Sequence, residues 1–404
     1  MRVFCAFLVA VVSARATADL PMTLISENEA EPIHGAILRK EAWTQDAVRR
    51  LRAEADRRVS QGPWSVTAAR PKNLDIDPHD YYSEAIYYWP DPDHPSGPYL
   101  RQDGKANPGR FIDNKSALDS MSEALFTLGA AALLLDNPAY AQRAVRVANA
   151  WFVNPKTRMN PNLEYAQTIP GTGAGRPEGV LDGRPFIRAI QGLEFLAATG
   201  AWDAKDQAAT HKWFEEYLRW LTHSHNAEEE KTSGNNHASW YVAQLAAVAN
   251  YAGDNTAEKS AFTFYRDHVF PKQIRQDGSA PREESRTRSL SYSTFNLEAF
   301  ATLCRIAQVQ GQDLWSLQSK SGASIATVID YLAPYLTEPA KWKKEQIVDF
   351  EATGLYSLAF AGMGLKRPDY VALFRKVERP EGAWMAFVDL VVGRWESSGR
   401  RVGR

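Results

Sequence analysis

Cysteine is nearly absent: among 404 residues only Cys5 and Cys304 occur. With so few thiols, and Cys5 inside a leader-like N-terminus, a disulfide framework and a Cys–His zinc site are both excluded. A lone Cys304 reads as a small buried apolar residue. Excess charge is also missing. Lys and Arg total 47 against 48 Asp and Glu, a net charge of −1, so the chain has no global basic field of the kind nucleic-acid binders carry, although a local basic groove stays open. Beyond the N-terminus no apolar run approaches the length of a membrane span. Alternating, strand-like runs are scarce. No Gly-x-Ser-x-Gly elbow exists, which disfavours a serine hydrolase. Gly171-Thr-Gly173-Ala-Gly175 resembles a phosphate loop, but no strand-like run is read before it, and it is discounted.

Residues 1–18, MRVFCAFLVAVVSARATA, carry one basic residue, Arg2, then an apolar run from Val3 to Val12 and two small-x-small sites ending at Ala16 and Ala18. That pattern predicts a secretory signal peptide followed by one domain over 19–404, in the periplasm or the medium. From about residue 116 helical periodicity dominates. The spacing predicts helices near Ser116–Leu135, Arg184–Thr199, Asp206–Leu221, His237–Tyr251, Ala257–Val269, Thr294–Val309, Ile325–Leu336, Glu351–Met363 and Pro368–Lys376. Four of these stretches close alike, in LLLDNP, LAATGAWD, VANYAGDN and IAQVQGQD, with Gly, Asn or Asp where a helix should stop. Repeated helical hairpins predict an all-α fold, an α/α toroid, with a solenoid or an irregular helical bundle as the alternatives. The polar tail from Gly393 to Arg404 is expected to fray.

The segments between helices are long and rich in Pro, Gly and aromatic residues, notably 87–110 and 160–183, and loops of that length usually carry function. Two clusters stand out. In Ser233-Gly-Asn-Asn-His237 either asparagine can cap the following helix, but one cap needs only one Asn. The helix N-terminus would favour a neutral His237 and help hold an anion. In the second cluster Arg282, Arg286, Arg288 and Tyr292 fall within eleven residues, just before a helix. They can be a solvated loop paired with Glu283 and Glu284, but a guanidinium fork also suits a carboxylate. Together the clusters supply what β-elimination from a uronate needs. Asn and Arg donors neutralise the carboxylate that acidifies the C5 proton, and His and Tyr divide the work of base and acid. No metal is required.

The segments DYYSEAIYYWPDP (80–92), NPNLEYAQ (160–167), SGNNHASWY (233–241) and PREESRTRSLSYSTFNLEA (281–299) resemble, in order, the alginate lyase superfamily of α/α-toroid polysaccharide lyases, above all families five and thirty-eight. By that resemblance the chain cleaves a 1,4-linked polyuronate, alginate or glucuronan. Asn236 and Arg286 would neutralise the carboxylate, with Arg288 as competitor for Arg286. His237 would be the base towards one C5 epimer. Tyr292 would be the acid, and also the base where both steps occur on one face. Tyr81, Tyr82, Tyr88 and Trp89 would stack on sugar rings, and Glu230, Asn160, Gln167 and Trp240 would line the cleft. The resemblance implies no cofactor, an acidic polysaccharide as partner, no nucleic acid, no membrane span and a monomer.

Two other functions use the same residues. A glycoside hydrolase on the same toroid would need two carboxylates from Glu178, Asp182, Glu283 and Glu284. A non-catalytic glycan-binding protein of the envelope would need only the aromatic loops. His223 and His225 with Glu228–Glu230 form a weak metal pattern that reads better as a solvated acidic loop.

Overall fold

In the computed structural model the described residues are 22–71, 75–95, 97–350, 352, 355–377 and 381–402; the segment read as a signal peptide lies outside them. The helices are α1 (Glu27–Leu38), α2 (Gln45–Val59), α3 (Asp113–Leu134), α4 (Pro138–Ala148), α5 (Phe186–Ala198), α6 (Ala204–His223), α7 (His225–Thr232), α8 (Asn236–Tyr251), α9 (Asn255–Phe264), α10 (Phe270–Gln273), α11 (Pro281–Glu284), α12 (Ser289–Val309), α13 (Ile325–Thr337), α14 (Tyr356–Gly364), α15 (Pro368–Lys376) and α16 (Ala383–Val402). Helix α3 packs on α5, α5 on α8, α8 on α12, α12 on α14, α14 on α16, and α16 returns to α3. An outer layer covers this ring: α2 lies on α3 and α16, α4 on α3, α6 and α9 on α8, α13 on α12 and α15 on α14. This is the α/α toroid that the recurring helical hairpins predict.

The two layers differ for a reason visible in composition. Inner helices are apolar on almost every face. From Ala124 to Leu134 every residue of α3 is buried, as is nearly all of α8. Outer helices such as α4 bury only one stripe. Among the described residues α3 is the one helix long and apolar enough to cross a membrane, and 78% of its most apolar stretch is buried in the ring. At the α3–α5 crossing the backbones nearly touch. A Cβ on Gly129 would lie 2.3 Å from the Gly192 carbonyl oxygen, so only glycine fits there.

The recurring endings are the turns from inner to outer helices. Each places one residue in the left-handed region after the helix: Asp136 (φ 49°), Gly200 (70°), Gly253 (72°) and Gly311 (74°). In three of them an Asn or Asp then caps the outgoing helix. Asn137 accepts from the Ala139 N–H (3.0 Å), Asp203 from Lys205 (2.8 Å) and Asp254 from Thr256 (3.0 Å).

The tail departs from expectation. Helix α16 runs through Gly393 to Val402, because Gly393 gives Trp43 room to pack close against it and Trp395 packs on the core. Cys304 is fully buried, and burial pushes its thiol up, in keeping with an inert apolar role. The 22–26 segment is tied to the ring: Thr23 donates through N (2.8 Å) and Oγ1 (2.6 Å) to Glu194, and Leu24 N donates to Gln191. Two small ribbons complete the fold: β1 (Tyr82–Glu84) runs parallel to β4 (Tyr165–Thr168), and β2 (Tyr88–Trp89) antiparallel to β3 (Leu100–Arg101).

Candidate active site

The two long loop segments and the starts of α8 and α12 enclose a cleft of about 970 Å³, whose lining includes Asn236, His237, Arg286 and Tyr292. The two sequence clusters therefore meet, as the β-elimination reading requires. Gly234, with φ at 72°, turns the chain into α8, and Asn235 is the residue that caps it, accepting from the His237 N–H at 3.0 Å. Asn236 is thereby free of capping. Its backbone N–H and Nδ2 both donate to Glu283 of α11, at 2.6 and 2.7 Å. It sits fully buried at the floor of the cleft, and its Oδ1 has no protein partner.

The His237 Nδ1 lies 2.7 Å from Glu230 Oε1. Glu230 belongs to α7, so the supposed acidic loop is a short helix that aims one carboxylate inward while His225 pairs with Glu229 outside. Burial alone would lower the His237 pKa. Glu230 outweighs it, with Glu178 and Glu283 adding, and the pKa is raised. The helix N-terminus favours a neutral imidazole, and the carboxylates around His237 pull the other way. Burial raises Glu230 as well, against the pull of His237, so the pair is built to hold a proton.

Tyr292 lies in the first turn of α12, which begins five residues before the predicted start. Its hydroxyl accepts from Arg286 Nη2 at 2.9 Å and donates to the Tyr87 hydroxyl at 2.6 Å. The Arg286 guanidinium also stacks 4.0 Å over the Tyr292 ring. Burial raises the phenol pKa strongly and Tyr87 adds to it, while Arg286 pulls it down. Arg286 is itself gripped by Asp103, from Nη2 at 2.7 Å and from Nε at 3.1 and 3.2 Å.

Of the other predicted residues, Tyr88, Glu230 and Gln167 line the cleft. Arg176 lies 5.0 Å over the Tyr88 ring, and Gln167 Nε2 donates to Asp182 at 3.1 Å. The rest lie elsewhere. Tyr81 is fully buried and donates to Asp182, and Tyr82 is buried against Phe111, so neither can stack on a sugar. Trp89 is held by the Lys105 carbonyl and Asn160 by Asp80, both off the cleft wall. Trp240 is buried beneath the cleft in a neighbouring cavity. Arg288 caps α12, where its backbone bridges to Gln346; the cleft takes Arg286 instead. Of the hydrolase candidates, Glu283 and Glu284 lie outside the lining, Glu284 pairing with Lys344. Glu178 is bound by Arg176, and Asp182 accepts from Tyr81, Ser83 and Gln167.

Sequence reasoning missed Tyr87 and Asp103. The cleft lining is mixed in charge: Arg101, Arg110, Lys115, Arg176, Arg184 and Arg286 face it, and so do Glu84, Asp119, Glu178, Asp182, Glu229 and Glu230. Tyr87 neighbours a tyrosine that was singled out, but nothing in the sequence marks Asp103, which lies 183 positions from Arg286. Among the described residues no group of three or more His, Cys, Asp or Glu is placed to hold a metal.

A family model described as alginate lyase matches residues 65–342. Among solved structures, the chain is similar to an alginate lyase from Bacteroides ovatus, with 30% identity and a TM-score of 0.84 over 91% of this chain and 98% of that one. Alginate lyase A1-III of Sphingomonas species A1 shares the fold at lower identity. Its apo histidine-to-alanine variant has 17% identity and a TM-score of 0.53 over 80% of this chain and 86% of that one. No curated protein sequence matches at a significant level.

Proposed function

The chain belongs to the alginate lyase family and is a polysaccharide lyase, and from that premise we propose that it cleaves 1,4-linked polyuronate, alginate or glucuronan, by metal-independent β-elimination. One observation carries this reading: the Tyr292 hydroxyl, hydrogen-bonded to Arg286 at 2.9 Å, shares a cleft with His237 and Asn236. The Arg286 guanidinium beside Asn236 and His237 suits a carboxylate, and the name of the Bacteroides ovatus relative supports alginate as its type.

The uronate carboxylate next to C5 takes the free Nε2 side of His237, the second amide hydrogen of Asn236 and the unspent donors of Arg286. Its charge is thereby neutralised, and the C5 proton becomes acidic enough to remove. Glu230 on Nδ1 leaves the His237 Nε2 to face the carboxylate, and the raised pKa favours its protonated, donating form. For the epimer whose C5 proton faces Tyr292, the tyrosine reacts as a phenolate that Arg286 stabilises, its own proton having passed to solvent water, and the phenolate oxygen takes the C5 proton. The C5–H electron pair becomes the C4–C5 double bond, the C4–O4 bond breaks, and Tyr292 returns the proton to O4. We propose further that the leader is cleaved after Ala18, that residues 19–404 act as one catalytic unit and a monomer, and that export delivers it to periplasm or medium.

The test is ultraviolet-monitored turnover on polymannuronate, polyguluronate, glucuronan and hyaluronan, with and without chelator. Unsaturated products from at least one 1,4-linked polyuronate, unaffected by chelator, are expected. Saturated products, or binding of every polymer without turnover, would overturn the reading.

A further inference from the structure

Arg286 carries two tasks. It donates to the Tyr292 hydroxyl at 2.9 Å, and the proposed reaction also asks it to bind the substrate carboxylate. A guanidinium left to swing serves neither task, because each needs a fixed direction of its N–H groups. What fixes it comes from a distant part of the chain. Asp103, two residues past β3, meets the guanidinium edge-on, accepting from Nε at 3.1 and 3.2 Å and from Nη2 at 2.7 Å. This is the two-point grip that suits a carboxylate to an arginine, and it leaves Nη1 to the cleft.

The grip is built into the packing of the loop. The same carboxylate accepts from Thr287 Oγ1 at 2.9 Å, and Arg101 Nη2 reaches it at 3.0 Å. The next residue is Gly104, at φ 72°; a Cβ there would lie 2.3 Å from Thr287 Oγ1. Only glycine lets the loop come this close to the approach of α12. Burial would raise the Asp103 carboxyl, but Arg286 and Thr287 outweigh it and hold it well below the usual carboxylate range, so it carries its charge at neutral pH. That charge reaches the phenol. Burial raises Tyr292 most and Tyr87 adds to it; Arg286 opposes them, and Asp103 acts with them against Arg286. Glu283 acts on Arg286 from α11. His237 with Glu230 and Glu178, and the cations Arg110 and Arg176, share the cleft and are the same in every variant compared below.

We propose that Asp103 is a positioning residue of the elimination: it fixes the edge of Arg286 that meets Tyr292 and offsets the guanidinium charge, and so sets the pH at which the tyrosine can serve as base. The inference rests on the polyuronate lyase reading and deepens it. Asp103 touches neither the sugar nor the reacting atoms. It acts through Arg286, and its removal therefore changes the pH dependence of the reaction as well as its rate.

The test is the pH profile of kcat/KM, by ultraviolet turnover, for wild type, Asp103→Asn, Asp103→Glu and Thr287→Val. D103N keeps an oxygen acceptor for Arg286 and loses the charge. With that anion gone the phenolate forms more easily, so the ascending limb of the profile should move down by about one pH unit. D103E restores the charge, and its limb should return towards that of the wild type. T287V loses a hydrogen bond of the same loop and no charge, and its limb should stay in place. A D103N limb at the wild-type pH or above it, whatever the loss of rate, overturns the proposal; so does a shift of equal size in D103E or T287V. The Asp103 side chain is 24% exposed on a loop, so D103N is expected to fold. If the wild type cleaves no polyuronate, the polyuronate reading itself fails. A crystal structure of Asp103→Ala then still decides the placement: Arg286 turned away from Tyr292 is expected, and a guanidinium still stacked 4.0 Å over that ring refutes it.

Discussion

Replacing Tyr292 by Phe removes one oxygen atom and leaves the ring. That oxygen accepts from Arg286 at 2.9 Å and donates to Tyr87 at 2.6 Å. The ring keeps its place, since the Arg286 guanidinium stacks on it at 4.0 Å and Asp103 holds that guanidinium from the other side. Two lost hydrogen bonds in a part-buried site cost about 1–2 kcal/mol of stability, which lowers the Tm of so large a chain by only a few degrees. The catalytic cost is larger. A positioned acid or base contributes about 10²–10⁴ in rate, or about 3–5 kcal/mol at 1.36 kcal/mol per decade. The expected outcome is a folded variant with kcat reduced at least a hundredfold and KM little changed, because the carboxylate donors remain. Initial rates of ultraviolet absorbance, with circular dichroism and a thermal melt as fold controls, measure it. Turnover within a few-fold of wild type in a folded variant would refute the assignment of Tyr292.

Glu230→Gln removes the charge that chiefly raises His237, so the imidazole loses its proton at lower pH and the alkaline limb of kcat/KM should move to lower pH. Superimposable pH profiles would place the pair outside the reaction centre. Glu194 is fully buried against Thr23, and burial lifts its carboxyl from 4.5 to about 8 despite Thr23's hydrogen bonds. Its folded pKa exceeds its unfolded one, so the stability linked to its proton is complete below pH 4.5 and is lost as pH rises through about 8. Glu194→Gln should therefore flatten the fall of Tm across that window, a difference of several kcal/mol; parallel Tm–pH curves would contradict it. Gly129→Ala forces a methyl against the Gly192 carbonyl and should cost about 1–3 kcal/mol, read by denaturant unfolding; an unchanged midpoint would show that α3 and α5 can part freely.

The legible and illegible parts of the site divide by chemistry. Asn236, His237, Arg286 and Tyr292 could be found because the reaction demands those residue types close together in two short clusters. Tyr81, Tyr82 and Trp240 were misplaced because an aromatic ring serves a core as well as it serves a sugar, and only burial tells the two apart. Arg286 and Arg288 are two positions apart and chemically identical. What separates them is the bridge that binds the Arg288 backbone to Gln346 and the carboxylate of Asp103 that holds Arg286. The direction in which the His237 pKa moves follows a carboxylate seven positions away, on a helix that polar composition had disguised as a loop.

The amino-acid order alone settled the helical hairpins, since apolar spacing and a left-handed stop followed by a cap act within a few residues of themselves. It also named the side chains on which the proposed β-elimination rests. Folding decided which of those groups share a cleft and which carboxylate faces which base. Burial and ion pairing depend on distances between segments a hundred or more positions apart, and no local pattern in a chain encodes them.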